Sequence, residues 1–542
     1  MENKTDDFEN RIALGMKSHL GWKELTFRGL GILSRRLANH LIKIGINKGD
    51  KVAILSESMP EWGATLFASV LAGATVVPLD IKLTIYELQS ILADCQPKLL
   101  LVSNAFLETA VELKKEIPSI EDIIVLDGSS AMTEYASMYN IENNTEGKWR
   151  HRAPNKTALI IYTSGTTGSP KGVEISFKNV LAQIDSISKC FDFGENDQLL
   201  SILPMNHLFE LTVGFLSFLN WGTSIYYSKS LKPKDLFSII RDKKVTFMIV
   251  VPAFLKLLKT GIETEVNQLS PVRKAMFKFF YSIADYLPLW TRKLLFKKIH
   301  DKFGGKFKGC IAGGAPLDLD VGIFFKRIGM LVYQGYGLSE ASPVVATERA
   351  SVSKFRSVGR ALPNVKVKTD PETGELLVKG DNVMKGYYNQ PELTKEVFTE
   401  DGWLKTGDIA KIDKEGFVFI TGRIKSMIVL SGGKKVFPEE VESVLEKSPM
   451  FEEVCVFGGR RTGGQKNSTE DVCVAILPKQ EIAESAQNEQ ELENIIKAEV
   501  KKLSQRLAAY KRPVNIITAD APMPRTATRK IKRNEVKKLL LG

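Results

Sequence analysis

The run of residues best suited to holding a phosphate group lies at 162–173, where the sequence reads YTSGTTGSPKGV. Three glycines let backbone N–H groups curl around a ligand, and the threonine and serine hydroxyls can donate to phosphate oxygens. Lys171 adds a positive charge for the same purpose. The spacing GxxGxxKG differs from the P-loop pattern GxxxxGK[ST]. We therefore predict a phosphate-binding loop of another kind, against the alternative of a flexible polar loop without a ligand.

A second glycine-rich run, QGYGLSEAS at 334–342, contains the carboxylate of Glu340. A carboxylate beside a phosphate loop would repel the ligand unless a cation lay between them, and Mg²⁺ prefers oxygen ligands. The run therefore suggests a magnesium ion that bridges Glu340 and the phosphates. A glycine-rich turn followed by a helix that Ser339 caps would explain the same residues without any ligand.

Three further runs carry chemistry that is ambiguous when each is taken alone. In GWLKTGD, 402–408, the carboxylate of Asp408 suits the two hydroxyls of a ribose, or is simply a turn aspartate. The basic, glycine-containing run 421–442 suits phosphate contact and backbone motion, or is a solvated turn. The basic run PRTATRKIKR, 524–533, suits phosphate or nucleic acid, or is a solvated face.

Alternating amphipathic and apolar segments must position these runs. Three leucines at helical spacing mark the first predicted helix of this series. A predicted strand at 158–163 leads directly into the phosphate run. Such alternation is typical of a layered α/β architecture. The predicted pairs are helix 30–45 with strand 52–55, helix 61–72 with strand 75–78, and helix 85–94 with strand 99–102; helix 176–190 and strand 245–251 follow.

The chain is too long for one ordinary core, since it has 542 residues and domains average roughly 100–200. The pattern of residues 365–422 predicts short strands joined by turns, and this sequence pattern changes after Arg423. Residues 426–542 then have the pattern of a compact α+β unit. We predict two domains, 1–424 and 425–542.

Composition limits the partners and the compartment. The formal net charge is +12, which favours anionic partners such as nucleotides, acidic carriers or an anionic membrane. The five cysteines form no CxxC pair and the five histidines show no metal-ligand spacing, which argues against zinc and against a disulfide framework. The first residues are polar and acidic, unlike a secretory signal, and no apolar run is long enough to cross a membrane. We expect a cytoplasmic protein.

In this order and over this length, the five runs resemble the adenylate-forming superfamily of acyl-CoA synthetases, luciferases and peptide-synthetase adenylation domains. The likeness is greatest to long-chain fatty acyl-CoA synthetases, through GCIAGGAPLD at 309–318, QGYGLSE at 334–340 and NVMKGYYNQPELT at 382–394. The resemblance implies a large, multi-subdomain N-terminal α/β domain and a small, mobile α+β C-terminal lid. It also implies that ATP activates a fatty acid as an acyl adenylate, which then passes to coenzyme A.

The resemblance further implies a role for each matching residue, numbered here in this sequence. The triphosphate would be held by Thr163, Ser164, Gly165, Thr166, Thr167 and Lys171. The adenine pocket would be lined by Gly314, Ala315, Gln334, Gly335, Tyr336 and Gly337, with Ser339 in the same nucleotide-binding set. Mg²⁺ would be held by Thr163 and Glu340, and the ribose by Asp408 with Arg423.

Three more roles follow from the same resemblance. Lys425 matches a hinge, His207 matches the position beside the substrate carboxylate, and Lys530 matches the catalytic lysine that reaches the α-phosphate. Many members of the superfamily have glycine before that lysine, whereas Arg529 stands here. Lys532 is therefore the alternative to Lys530.

Several partners stay open from the sequence alone. The thiol acceptor is coenzyme A, or else the phosphopantetheine of an acyl carrier protein. The apolar run 208–219 lines a fatty-acid tunnel, or is an ordinary core helix. Residues 271–308 hold ten Lys and Arg against two acids, with interleaved aromatic residues, and either contact a membrane peripherally or form an exposed helical hairpin. Nucleic acid is not expected, because no recognition motif accompanies the basic stretches.

Overall fold

The computed structural model describes residues 7–18, 21–128, 135–163, 170–349, 354, 356–430, 434–459, 470–525 and 531–541. The chain divides into two compact units. The first unit comprises Met1–Lys366 with Val378–Leu404, and the second comprises Val367–Leu377 with Lys405–Gly542. The predicted domain boundary at 424/425 falls inside the second unit and stays a prediction.

The strands of the described residues are numbered in chain order. They are β1 (Ile12–Ser18), β2 (Gly21–Thr26), β3 (Lys51–Leu55), β4 (Thr75–Pro78), β5 (Leu99–Val102), β6 (Asp122–Val125), β7 (Ala136–Ser137), β8 (Thr157–Thr163), β9 (Lys171–Ser176), β10 (Gln198–Ser201), β11 (Ser224–Tyr227), β12 (Phe247–Val250), β13 (Gly309–Ala312), β14 (Leu331–Gly337), β15 (Val344–Thr347), β16 (Arg360–Ala361), β17 (Val365–Thr369), β18 (Glu375–Gly380), β19 (Gly386–Tyr387), β20 (Leu404–Ile412), β21 (Val418–Arg423), β22 (Ile428–Val429), β23 (Lys435–Val436), β24 (Phe451–Gly459), β25 (Asp471–Pro478) and β26 (Asn515–Thr518).

The α-helices of the described residues are numbered in the same way. They are α1 (Phe27–Lys43), α2 (Pro60–Leu71), α3 (Ile85–Cys95), α4 (Leu107–Glu116), α5 (Phe177–Ser188), α6 (Phe218–Asn220), α7 (Pro233–Asp242), α8 (Pro252–Asn267), α9 (Pro271–Ile283), α10 (Leu289–Leu295), α11 (Lys297–Lys302), α12 (Leu319–Arg327), α13 (Pro391–Glu396), α14 (Pro438–Leu445), α15 (Gln480–Ser485), α16 (Glu489–Ser504) and α17 (Arg533–Leu541).

The first unit contains two large sheets. One has nine strands in the order β16-β15-β14-β13-β12-β10-β11-β1-β2. Its strands from β14 to β1 pair in parallel, and the pairs at both edges are antiparallel. Because parallel strands are covered by helices on both faces, their residues are apolar without alternation. Each of the short strands β11, β12 and β13 is accordingly buried along its whole length.

The other sheet has eight strands in the order β19-β9-β8-β4-β3-β5-β6-β7. Strands β8 to β7 are parallel, whereas β8, β9 and β19 form an antiparallel edge. Its core joins side chains of β3 and β5 to Leu88, Leu92 and Leu113 from helices α3 and α4. The predicted α/β layering is confirmed, and the predicted strand 99–102 matches β5 residue for residue.

The second unit combines three small sheets with helices. A four-stranded sheet has the order β17-β18-β20-β21, a ribbon pairs β22 with β23, and a three-stranded sheet has the order β24-β25-β26. Helices α14 and α16 pack on the last of these through Val441, Leu445, Ile496 and Val500. The predicted α+β character of the C-terminal part is confirmed. Among the helices of the described residues, none has both the length and the apolar character that crossing a membrane requires.

Candidate active site

The phosphate run is carried on the antiparallel hairpin of β8 and β9. Thr163 is the last residue of β8, Lys171 is the first residue of β9, and the two are paired in the register. Both side chains are half-buried. The hairpin therefore places a hydroxyl and a cation side by side at the end of a buried strand. The predicted ligands Ser164, Gly165, Thr166 and Thr167 lie outside the described residues.

Glu340 lies on a short 3₁₀ helix, Ser339–Ala341, directly after β14. The hydroxyl of Tyr387 donates to its Oε1 at 2.9 Å. The ring of Tyr387 also lies beneath the ammonium of Lys171, with 5.9 Å between Nζ and the ring centroid. One tyrosine thus links the predicted phosphate lysine to the predicted magnesium ligand.

Two backbone interactions hold Tyr387 in this position. It belongs to β19, which pairs with β9 so that Tyr387 lies opposite Val173. Its backbone N–H donates to the hydroxyl of Thr394 at 2.8 Å. Burial and the adjacent Glu340 carboxylate raise the pKa of the Tyr387 phenol well above its ordinary value. The phenol therefore stays protonated and remains a hydrogen-bond donor to Glu340.

The segment 382–388, which we call the strap, ties the phosphate hairpin to the Glu340 turn. The side-chain amide of Asn382 donates to the backbone carbonyl oxygen of Ala341 at 3.0 Å. The backbone N–H of Met384 donates to the backbone carbonyl oxygen of Glu340 at 2.9 Å. At the hairpin, Lys385 forms an ion pair of 3.0 Å with Glu174. The strap therefore fixes the separation between the cation and the carboxylate of the site.

The first turn of helix α5 is hydrogen-bonded to the strap and to the residue before it. Ser176 and Asn179 form a reciprocal capping box at its first turn. The Asn179 amide then donates to the backbone oxygens of Asp381 and Val383 at 2.7 and 2.8 Å. Because Asn179 is buried, these bonds satisfy its amide and anchor the strap at the same time.

The predicted adenine-pocket residues lie at the ends of two adjacent parallel strands. Ala312 of β13 pairs with Gln334 of β14, which brings the turn containing Gly314 and Ala315 next to the run 334–337. Gly314 has a positive φ of +82° that favours glycine. Carboxyl ends of parallel strands are where open α/β sheets bind ligands, so this position suits a nucleotide.

Gly337 has a structural reason of its own for being glycine. A Cβ at this position would collide with the backbone oxygen of Pro343, because β14 and β15 approach closely there. Gln334, at the other end of the run, donates its backbone N–H to Glu348 at 3.2 Å. Burial raises the pKa of Glu348 to about 7.

His207 lies just before a buried π-helical stretch, Glu210–Ser217. Its Nε2 is buried and has no hydrogen-bond partner within the described residues. Burial lowers the pKa of the imidazole, so it is neutral near pH 7. Phe209 places its ring 2.8 Å from where a Cβ on Gly313 would lie, which joins the His207 segment to the turn at 313–315. The run 208–219 is mostly buried and forms part of the core.

In the second unit, Asp408 and Arg423 are direct partners across the hairpin of β20 and β21. The Arg423 Nε donates to Asp408 Oδ1 at 2.6 Å, and the aspartate is almost completely buried. Gly407, with a φ of +72°, donates its N–H to Glu375 at 2.7 Å. The two residues predicted to hold the ribose are therefore joined directly by this ion pair.

The hinge and lysine positions lie farther along the same unit. Lys425 is exposed on a short 3₁₀ helix, Ile424–Ser426. Lys530 and Arg529 lie outside the described residues. Arg525 and Ile531, on either side of them, form an antiparallel β-bridge. The alternative lysine, Lys532, forms an ion pair of 2.9 Å with Glu535.

Comparison with known proteins identifies the family. Residues 1–388 match the model of the AMP-binding enzyme family, which is well over half of the chain. Residues 425–540 match the model of the C-terminal domain of AMP-binding enzymes. This chain belongs to the AMP-binding enzyme family. The resemblance inferred from the five sequence runs is thereby confirmed.

Individual relatives place this AMP-binding enzyme more closely. It is 30% identical over 465 residues to a long-chain-fatty-acid–CoA ligase of Mycobacterium bovis, covering 81% of this chain and 76% of the relative. It is 28% identical over 626 residues to a long-chain-fatty-acid–[acyl-carrier-protein] ligase of Arabidopsis thaliana, covering 98% and 84%. The predicted likeness to long-chain acyl-CoA synthetases is confirmed.

A solved structure supports the fold over nearly its whole length. O-succinylbenzoate coenzyme A synthetase from Bacillus subtilis, in complex with ATP and a magnesium ion, matches with a TM-score of 0.75 and 25% identity. The match covers 99% of this chain and 98% of that one. This likeness agrees with the mixed α/β fold of the chain.

The residues that sequence reasoning missed are those of the strap. Asn382 and Tyr387 stand within NVMKGYYNQPELT, a run that was used only as a mark of resemblance. The bond from Tyr387 to Glu340 spans 47 residues of sequence, so spacing along the chain does not reveal it. The available signal was the density of polar and aromatic residues in a run with no assigned chemistry.

Proposed function

We propose that this AMP-binding enzyme activates a long-chain fatty acid with ATP and transfers the acyl group to coenzyme A, releasing pyrophosphate and AMP. The observation that carries the proposal is the cluster in which Tyr387 links Lys171 to Glu340 beside the end of β8. A cation and a carboxylate held at a fixed separation suit a polyanion with its metal. The name of the Mycobacterium bovis relative supports the choice of substrates.

The first half-reaction joins two anions, so its main obstacle is electrostatic. A carboxylate oxygen attacks the α-phosphorus, and the bond from that phosphorus to the bridging oxygen breaks to release pyrophosphate. Lys171 and the Thr163 hydroxyl would hold the phosphates, together with the backbone and hydroxyls of 164–167. Lys530 would offset the charge that develops on the α-phosphate. Alignment of the two reactants removes several kcal/mol of the entropic barrier, by order of magnitude.

Magnesium fits the carboxylate that the structure offers. Oε1 of Glu340 accepts a hydrogen bond from Tyr387, and Oε2 has no partner within the described residues. A carboxylate oxygen of this kind is a preferred Mg²⁺ ligand, and Thr163 would add a hydroxyl. Bound there, the ion would neutralise phosphate charge. The protein would supply few ligands of its own, because the phosphates of ATP supply others.

His207 would face the carboxylate of the substrate. A neutral imidazole in the Nε2–H form can donate to that carboxylate, and its unpartnered nitrogen fits such a role. Gly314, Ala315 and the run Gln334–Gly337, with Ser339, would surround the adenine. Asp408 would accept from the ribose hydroxyls with Arg423 holding it in place.

In the second half-reaction the sulfur of the thiol attacks the acyl carbonyl, AMP leaves, and the thiol proton is released. We place the hinge at Lys425, so that a lid formed by 425–542 presents Lys530 for adenylation and another face for thiolation. Peripheral contact with a membrane through 271–308 belongs to the same proposal.

An acyl carrier protein is the alternative acceptor, and the Arabidopsis thaliana relative is the specific reason to keep it. One experiment separates the acceptors: fatty acids of rising chain length are tested against coenzyme A and against acyl carrier protein, with pyrophosphate and thioester measured separately. Thioester formation with coenzyme A alone supports the proposal. Thioester only on the carrier protein overturns the acceptor, and no pyrophosphate with any acid overturns the activity itself.

A further inference from the structure

Two short stretches of the second unit flank the segment that carries Lys530. We call these stretches, 523–525 and 531–533, the lysine stem. Two backbone contacts join them: the antiparallel bridge of Arg525 with Ile531, and the N–H of Lys532 donating to the oxygen of Pro524 at 2.8 Å. The stem therefore brings the chain back beside itself, and the Lys530 segment connects its two sides.

The incoming side of the stem is attached to β24 through one carboxylate. Oε2 of Glu453 accepts the backbone N–H of Met523 at 2.8 Å, and its Oε1 accepts Nη2 of Arg525 at 2.7 Å. Both oxygens of the carboxylate are thus bonded to the stem. The side chain of Glu453 is 10% exposed and that of Arg525 is 37% exposed. An ion pair that is shielded on one side can fix a geometry better than two fully exposed side chains can.

The outgoing side is held by Arg533, the first residue of α17. Its Nε donates to the backbone oxygen of Val456 at 2.7 Å, and its Nη2 lies 2.8 Å from each carboxylate oxygen of Glu442. Glu442 in turn accepts the backbone N–H of Val456 at 2.8 Å. Arg533, Glu442 and β24 therefore form a closed ring of hydrogen bonds. A guanidinium suits such a ring because its donors are fixed in one plane.

A second acid of α14 connects Arg533 to the predicted hinge. Oε1 of Glu439 accepts Nη1 of Arg533 at 3.3 Å and the hydroxyl of Ser426 at 3.1 Å. Ser426 ends the 3₁₀ helix that contains Lys425. The stem, α14 and the predicted hinge turn therefore share one hydrogen-bonded network within the second unit.

We propose that Arg525 and Arg533 are positioning residues that hold Lys530 where it can reach the α-phosphate. The inference rests on the proposed function, in which Lys530 acts in adenylation. A lysine has a flexible four-carbon side chain, so its ammonium is placed no better than the backbone that carries it. Attachment of both sides of the stem to β24 restricts that backbone. The two guanidinium groups are bonded to Glu453 and Glu442, so their role differs from contact with the phosphates.

The test measures the two half-reactions of R525Q and R533Q separately, in single-turnover experiments on the full chain. Pyrophosphate release from palmitate and ATP should slow about 10-fold to 100-fold, as a misplacement of up to about 1 Å would cause. Thioester formation from supplied palmitoyl adenylate and coenzyme A should stay within about twofold, because Lys530 acts only in the first half-reaction.

Combination with K530A decides whether the arginines act through the lysine. In that background R525Q should cost no further adenylation rate, because no ammonium remains to be positioned. The control is K537Q, which removes another cation of α17, paired with Glu470 at 2.8 Å, and should leave both half-reactions unchanged. R525Q carries the test if R533Q unfolds, because the Arg525 pair is the more exposed of the two.

Three kinds of outcome would overturn the inference. Equal slowing of both half-reactions would make the two arginines general structural residues. The same loss from R525Q with and without Lys530, or a loss of the same size from K537Q, would mean that they do not act by positioning Lys530. Absence of pyrophosphate release by the unsubstituted protein would overturn the proposed function as well, and only that outcome does so. Slowed adenylation alone, which disappears in the K530A background, supports the inference.

Discussion

The predicted site residues of the first unit and those of the second unit are held in place in different ways. In the first unit, the phosphate hairpin, the Glu340 turn and the strap come from distant stretches of sequence and are joined by hydrogen bonds. In the second unit, Asp408 and Arg423 face each other across one hairpin, and Lys425 follows two residues later on the chain.

The two groups of residues differ in what preserves their geometry. A network assembled from distant segments keeps its geometry only while the whole unit is folded, which suits a fixed binding site for a polyanion. The geometry of a pair within one hairpin depends only on the pairing of its two strands. Residues that act in only one half-reaction are expected in the proposed lid, 425–542, where the catalytic lysine Lys530 is predicted.

The largest expected effect is the loss of the lysine of the second unit. Lys530→Ala should slow pyrophosphate release by about 10³-fold, the upper range for removing one group that stabilises developing charge. Lys532→Ala is the matched control and should change the rate little, since Lys532 is paired with Glu535. If both variants lost the same rate with saturating ATP, the role would not belong to Lys530 in particular.

Loss of the carboxylate in the first unit should come next. Glu340→Gln keeps the shape of the side chain but weakens a magnesium ligand, and we expect kcat/KM for ATP to fall about 100-fold. The concentration of magnesium needed for half-maximal rate should rise. An unchanged magnesium requirement, with the rate reduced, would contradict the role. Glu392→Gln, an exposed glutamate, serves as the control.

The hinge is tested by restricting rotation at one backbone position. Lys425→Pro should slow thioester formation from acyl adenylate by about 10-fold to 100-fold, as a small misplacement of reacting groups would, and should slow adenylation less. Lys425→Ala is the control for loss of the side chain. The hinge hypothesis fails where single-turnover measurements find both half-reactions slowed equally.

A smaller effect is expected for the link within the first-unit site. Tyr387→Phe keeps the ring beneath Lys171 and removes only the bond to Glu340, so activity should fall about tenfold, as for a hydrogen bond to a charged group. The magnesium requirement should shift with it. Tyr388→Phe changes the neighbouring tyrosine in the same way. If both variants showed the same shift in the magnesium requirement, the bond from Tyr387 to Glu340 would not be its cause.

The last prediction concerns stability alone. Glu210 is completely buried, accepts from Ser201 at 2.7 Å, and has a pKa that burial raises to about 8. The folded protein therefore binds this proton more tightly than the unfolded chain. Its contribution to the free energy of unfolding is present at low pH and is lost as pH rises through the window between the ordinary pKa of 4.5 and about 8, by about 1.4 kcal/mol per pH unit.

Glu210→Gln has no charge to bury. Its stability relative to the unsubstituted protein should therefore increase as pH rises towards 8, measured by urea denaturation. The exposed Glu392→Gln should give a difference that does not change with pH. A flat difference for Glu210→Gln as well would mean that the carboxyl keeps an ordinary pKa.

Much of the first unit was predictable because its elements are strongly patterned. The predicted strands 52–55, 75–78 and 99–102 match β3, β4 and β5 within one residue, since buried parallel strands are continuous apolar runs between turns. The predicted helix 85–94 ends one residue early. The bounds of the compact units were not predictable, because a short stretch, Val367–Leu377, joins the second unit from within the first.

The sequence by itself determined the layered α/β class, the family and the short runs that carry chemistry, because each of these depends on residues close together in the chain. The tertiary structure alone decided that Tyr387 links Lys171 to Glu340, and that Gly337 is needed for strand packing against Pro343. It also decided which face of α9 is exposed. The physical reason is that hydrogen bonds, close backbone approaches and burial join residues that are neighbours in space, and spacing along the chain does not record them.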